Sequence, residues 1–148
     1  MSDTIFSLLV ELAEKERNTT SKRLADANAG VTAARAQLDM LERYRTDYQD
    51  RLRNRQTTAA GAESLRNFNA FILKLDSAIA QQTRELELCE GRCRDVMEAE
   101  RVAQRKLHSF ETLRERRSEE ARIVQQLSNR RIEDQAAANS VRANRLRR

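Results

Sequence analysis

Proline and tryptophan are absent from this chain of 148 residues, glycine occurs three times, and aromatic residues make up 4%. A chain so poor in helix breakers and so rich in Arg, Glu, Ala, Leu and Gln has the composition of long helices. The shortage of large apolar side chains excludes a thick core, so burial has to be linear, along a seam, and stability modest. No run approaches the roughly 18 apolar residues of a membrane span. The opening segment has no basic n-region and no small-residue cleavage site, and Glu11 and Glu14 break its apolar run, so no signal peptide is read. Two cysteines make no disulfide framework. These absences predict a soluble cytoplasmic protein of one domain at most. With 34% charged residues the chain could be disordered, but a disordered chain would lack a sustained apolar period.

That period is present. Leu24, Ala27, Val31, Ala34, Leu38, Leu41, Arg45, Tyr48 and Leu52 alternate by three and four. The pattern resumes with Leu65, Phe68, Ile72, Leu75, Ile79, Gln82, Leu86, Cys89, Cys93, Val96, Glu100, Ala103, Leu107 and Phe110. Such a heptad seam predicts a left-handed supercoil. The one real break surrounds Gly61, after Thr57 and Thr58, and a helix can restart at Ser64. Folding there pairs positions whose numbers sum to about 120: Leu52 with Phe68, Leu41 with Ile79, Leu24 with Val96, and Phe6 and Val10 near Phe110 and Arg114. The fold class is therefore all-α, an antiparallel two-helix coiled-coil hairpin. Its first arm covers about 3–56, its turn about 57–63, its second arm about 64–117 and an overhang about 118–148. The overhang has no intramolecular partner, so it is expected to be mobile when free.

Chemistry is sparse. Cys89 and Cys93 lie four apart, but no second Cys or His pair completes a metal site, and both read as seam residues. His108 is a solvated helical histidine, and no nucleophile–base pair, phosphate loop or carboxylate dyad stands out. A two-helix rod encloses no water-free pocket. The chain thus reads as a non-enzyme with no cofactor or metal. Gln82 and Glu100 within the seam are expected to set register. Phe71 falls between Phe68 and Ile72, which already fill the seam, and so is expected as an exposed anchor on a stripe with Leu75 and Ala78. The bland alternative is a wide seam in which Phe71 covers the first arm.

Charge separates the ends. Residues 1–113 carry 18 basic and 18 acidic side chains, and residues 114–148 carry 10 arginines against 5 acids, which accounts for the net +5. Arginine alone supplies the basic charge there, suiting bidentate pairing with carboxylate or phosphate. An acidic protein surface is the preferred partner. Nucleic acid is disfavoured, because aromatics for stacking and a known reading motif are lacking. Solvated charge is the third reading.

The segments LAEKE from Leu12, QLDMLERYRTDY from Gln37, RNFNAFILKLDSAIAQQ from Arg66 and RKLHSFETL from Arg105 resemble the FliJ family, soluble stalk components of the bacterial flagellar protein-export machinery. The Tyr-x-x-x-Tyr pair and the Phe-x-x-Phe-Ile-x-x-Leu-x-x-Ala-Ile run are its more specific features. The resemblance covers essentially the whole chain. It implies a hairpin similar to the coiled-coil stalk of the rotary ATPase gamma subunit, which inserts into the hexameric export ATPase ring, promotes its assembly, contacts the cytoplasmic part of the export gate and handles export chaperones. The family's gate-contacting stripe maps onto Phe71, Leu75, Ala78 and Gln82, with Gln82 replacing a histidine of some relatives. The ring contact falls to the basic end, the overhang and the residues just before it: Arg114, Arg116, Arg117, Arg122, Arg130, Arg131, Arg142 and Arg145. It also implies a cytoplasmic protein, peripheral at the inner membrane only through the export apparatus, serving flagellum biogenesis, motility and chemotaxis. A stalk of a virulence type III secretion system, a basic nucleic-acid binder and a scaffolding coiled coil are the alternatives.

Overall fold

The computed structural model describes residues 2–56 and 61–147. They form two helices packed against each other, α1 (Ser2–Gln56, 55 residues) and α2 (Ala62–Leu146, 85 residues), with no strand among the described residues. The all-α helical hairpin expected from the heptads is what forms. Residues 57–60 of the expected turn lie outside the described residues. The restart differs from expectation: α2 begins at Ala62, and Ser64 is already helical. The reason is local, since the Leu65 amide donates to the Gly61 carbonyl at 3.4 Å, an i to i−4 bond that places the first turn ahead of Ser64. Glu63 in that turn also suits the positive end of the helix dipole.

The chain forms two compact units. One is Asn18–Val102. Every α1 seam position from Leu24 to Leu52 is buried or half-buried in it, as is every α2 position from Phe68 to Glu100. Leu65 is the exception at 37% exposure, next to the break. Ala34, Leu75 and Cys93 are buried outright. The register is set by polar contacts. Thr20 Oγ1 donates to Glu100 Oε2 at 2.7 Å and Ser21 Oγ to Glu100 Oε1 at 2.9 Å, so numbers summing to 120 and 121 meet. Gln82 Nε2 donates to the Ala34 carbonyl at 3.1 Å, and Cys93 Sγ to Asn28 Oδ1 at 3.0 Å.

The other unit joins Met1–Arg17 to Ala103–Arg148. Val10 (2% exposed), Ala13 and Ala103 are its buried residues, flanked by half-buried Phe6, Leu9, Leu107 and Phe110. Lys106 Nζ meets Glu16 Oε2 at 3.1 Å across the pair. From Leu113 to Arg147 every residue is exposed. α2 nonetheless continues as helix to Leu146, through a segment rich in Ala, Arg, Glu and Gln with its own local ion pairing.

Candidate interaction surfaces

Tyr44 and Tyr48 sit one turn apart on α1, and Phe68 and Phe71 three residues apart on α2, so each pair projects from one side of its helix. The register brings the four rings together. Tyr48 lies 4.8 Å from Phe68 and 4.5 Å from Phe71 between centroids, both tilted, and Tyr44 meets Phe71 edge-on at 6.2 Å. These are favourable aromatic geometries, worth about 0.5–1.5 kcal/mol per pair beyond area burial. Phe71 is therefore half-buried against α1 and not a free-standing anchor. The seam did have room for a third large side chain, which packs on Tyr48 and the edge of Tyr44.

The rest of the stripe differs residue by residue. Leu75 is buried at 7% exposure and belongs to the hairpin core. Ala78 is half-buried, and Gln82 is half-buried with its amide committed to Ala34. Arg45 pairs with Asp76 beside the ring cluster, and that hydrogen bond holds the guanidinium more firmly in its charged form. What the stripe shows to solvent is thus the uncovered part of Phe71, Ala78 and Gln82, continued on α1 by Tyr44 (51% exposed) and Met40 (65%). The tyrosines are the residues that reading α2 alone misses. Their i, i+4 spacing opposite Phe68 and Phe71 is the signal that could have found them. An open recess nearby is lined by Tyr48, Arg51, Asn54, Ser64, Asn67 and Phe68.

In the other unit, Arg114, Arg116, Arg117, Arg122, Arg130, Arg131, Arg142 and Arg145 are all exposed on α2. They are distributed around the helix. Arg122 is already engaged, because its Nη2 and Nε donate to Glu119 Oε1 and Oε2 at 2.6 and 3.2 Å. Those bonds hold the Glu119 carboxyl below the usual carboxylate range and raise Arg122. His108 is exposed on α2, while Cys89 is half-buried and Cys93 buried in the seam. Among the described residues no three His, Cys, Asp or Glu side chains gather as a metal site would require, and no helix is long and apolar enough to cross a membrane.

Two packed helices whose polar and aromatic groups serve either the seam or an open surface define a coiled-coil interaction protein. Residues 2–146 match the family model described as Flagellar FliJ protein, and the chain belongs to that family, making it a non-enzymatic component of the flagellar export apparatus. It is 27% identical over 117 residues to the Flagellar FliJ protein of Escherichia coli (strain K12), covering 79% of this chain and 80% of that one. It is 25% identical over 129 residues to the Flagellar FliJ protein of Salmonella typhi, covering 87% and 88%. No solved structure matches.

Proposed function

We propose that the protein is the stalk of the flagellar export machinery: the hairpin inserts into the hexameric export ATPase ring, promotes its assembly and activity, contacts the cytoplasmic domain of the export gate and handles export chaperones. Residues 1–148 act as one hairpin domain in this reading, working in the cytoplasm and reaching the inner membrane only through the apparatus. The observation that carries it is the overhang. Every residue from Leu113 to Arg147 is exposed, and residues 114–148 hold 10 arginines against 5 acids, a surface suited to carboxylates. The arginines that would meet the ring are Arg114, Arg116, Arg117, Arg122, Arg130, Arg131, Arg142 and Arg145. Arg122 has to share or leave Glu119 to do so.

The gate contact is proposed for the ring cluster on the stripe of Phe71, Leu75, Ala78 and Gln82. Leu75 supports that stripe from beneath, while Phe71, Ala78 and Gln82 present it. Deleting residues 118–148 tests the ring contact: stimulation of the export ATPase is expected to disappear while helicity per residue of the remainder is kept. Normal stimulation by the truncated chain would remove the overhang from the mechanism.

A further inference from the structure

The exposed part of α2 carries an internal repeat of 14 residues. Leu113, Leu127 and Val141 are spaced by 14, as are Arg116 and Arg130, Arg117 and Arg131, Glu119 and Glu133, and Glu120 and Asp134. Fourteen residues are two heptads, so residues related by the repeat return to one face of the helix. That face is separate from the hairpin seam: Leu107 and Phe110 are half-buried against α1, whereas Leu113, Ile123, Leu127 and Val141 are 42%, 47%, 54% and 54% exposed. An exposed stripe of this regularity, with apolar and charged layers alternating, has the form of an unoccupied helix-pairing face.

We propose that the partner of this face is the same face of a second copy of the chain, in antiparallel orientation. In an antiparallel pair each a position lies opposite a d position. The stripe reads Leu113, Arg116, Glu120, Ile123, Leu127, Arg130, Asp134, Ala137. Setting Ile123 of one copy opposite Leu127 of the other places Glu120 opposite Arg130, Arg116 opposite Asp134 and Leu113 opposite Ala137. All eight positions find an apolar-to-apolar or acid-to-arginine partner, and the two-fold symmetry uses each pairing twice. A parallel pair sets Glu120 on Glu120 and Arg116 on Arg116, and a half-repeat shift of the antiparallel pair sets Arg116 against Leu127 and Arg130 against Leu113. The sequence therefore selects the antiparallel arrangement, and among its registers a full repeat apart this one matches the most positions.

Electrostatics permit the contact. Residues 113–137 contain six arginines and five acids, while Arg142, Arg145, Arg147 and Arg148 lie beyond the paired segment. A further apolar ridge adjoins the face: Ile5, Leu8 and Leu12 on α1 are 59%, 54% and 54% exposed. Lys106, one heptad before Leu113, is bonded to Glu16, one turn after Leu12, which puts ridge and stripe on the same side. With half of its layers ionic the pairing is weak and depends on concentration and salt. It occupies arginines assigned above to the ATPase ring, so self-pairing and ring binding exclude each other.

The test uses the full chain alone, without any ATPase, so its outcome is independent of the ring reading. Sedimentation from about 1 µM to about 1 mM should show a monomer passing to a dimer. Glu120→Arg and Arg130→Glu, both at exposed positions, should each weaken the dimer about tenfold or more by setting like charges opposite. The double variant E120R/R130E should restore it, and so should mixing the two single variants, because the antiparallel layers then pair again. A chain that stays monomeric throughout, or charge reversals that the double variant and the mixture fail to rescue, would overturn the proposal.

Discussion

Gln82 and Glu100 interrupt the apolar seam of α2, and each finds its bonds across the pair, Gln82 on the Ala34 carbonyl and Glu100 on the Thr20 and Ser21 hydroxyls. A buried polar atom left alone costs about 1–3 kcal/mol, so a shifted register would strand these groups. That is how a polar layer specifies alignment. Gly30 poses the opposite case. It lies inside α1, its φ is not positive, and a Cβ built on it meets nothing within 4 Å. Gly30→Ala should therefore stabilise the hairpin by about 0.5–1 kcal/mol through helix propensity alone, read as a raised urea midpoint with unchanged m-value. Phe71 combines both roles. A fully buried Phe→Ala change costs roughly 3–5 kcal/mol, so for a half-buried ring stacked on Tyr48 the cost should be about 2 kcal/mol. A melt of Phe71→Ala run beside a pull-down with the gate's cytoplasmic domain separates the two contributions. Lost binding per folded molecule supports the gate contact, and a lower melting temperature with unchanged binding confines Phe71 to the fold.

At the scale of the helices, register is the property that everything else inherits. Thr20 with Glu100, Asn28 with Cys93 and Arg45 with Asp76 all meet at numbers summing to 120 or 121. Leu41 and Ile79, both half-buried, satisfy the same relation. Cysteines at Leu41 and Ile79, on a background lacking Cys89 and Cys93, should form a disulfide within one chain, seen as a faster-migrating monomer on non-reducing gels. Exclusively inter-chain products would mean that the helices pair between molecules instead. Small residues carry much of the burial, with Ala13, Ala34, Cys93 and Ala103 among the buried side chains. They let the helices approach closely but remove little apolar area, and the polar layers supply specificity where bulk does not.

For the molecule as a whole, burial and net charge are partitioned along the chain. The apolar positions that are covered all precede Leu113, and the net +5 falls after it. Among the described residues, removing 118–148 deletes helix but no buried side chain, so the thermal transition of the remaining hairpin should move little, since surface changes usually stay within about 0.5 kcal/mol. This is what makes the truncation a clean probe of function: lost ATPase stimulation could not be assigned to unfolding. The Glu119–Arg122 pair adds a local pH dependence to the deleted segment. Because the Glu119 carboxyl is held below its ordinary range, the support it lends the helix is present at neutral pH and lost as acid titrates it.

The helices, their seam and the hairpin alignment were legible in the sequence, because a heptad pattern is periodic and a chain with no proline and one real break leaves few ways to close it. The polar seam residues could be located the same way, though not their partners, since Thr20 is a polar residue on the three-four spacing ahead of Leu24, and Ser21 and Asn28 contact α2 from positions beside it. The ring cluster was only half legible. Phe71 stood out on α2, but whether it faces solvent or α1 depends on the room that Tyr44 and Tyr48 make, a question of packing between residues distant in sequence. The repeat of Leu113, Arg116, Glu120 and their counterparts was likewise written in the sequence. Only the tertiary structure decided that its face is uncovered, because the same apolar spacing describes a seam already occupied and one still open, and the difference lies in where the other helix runs.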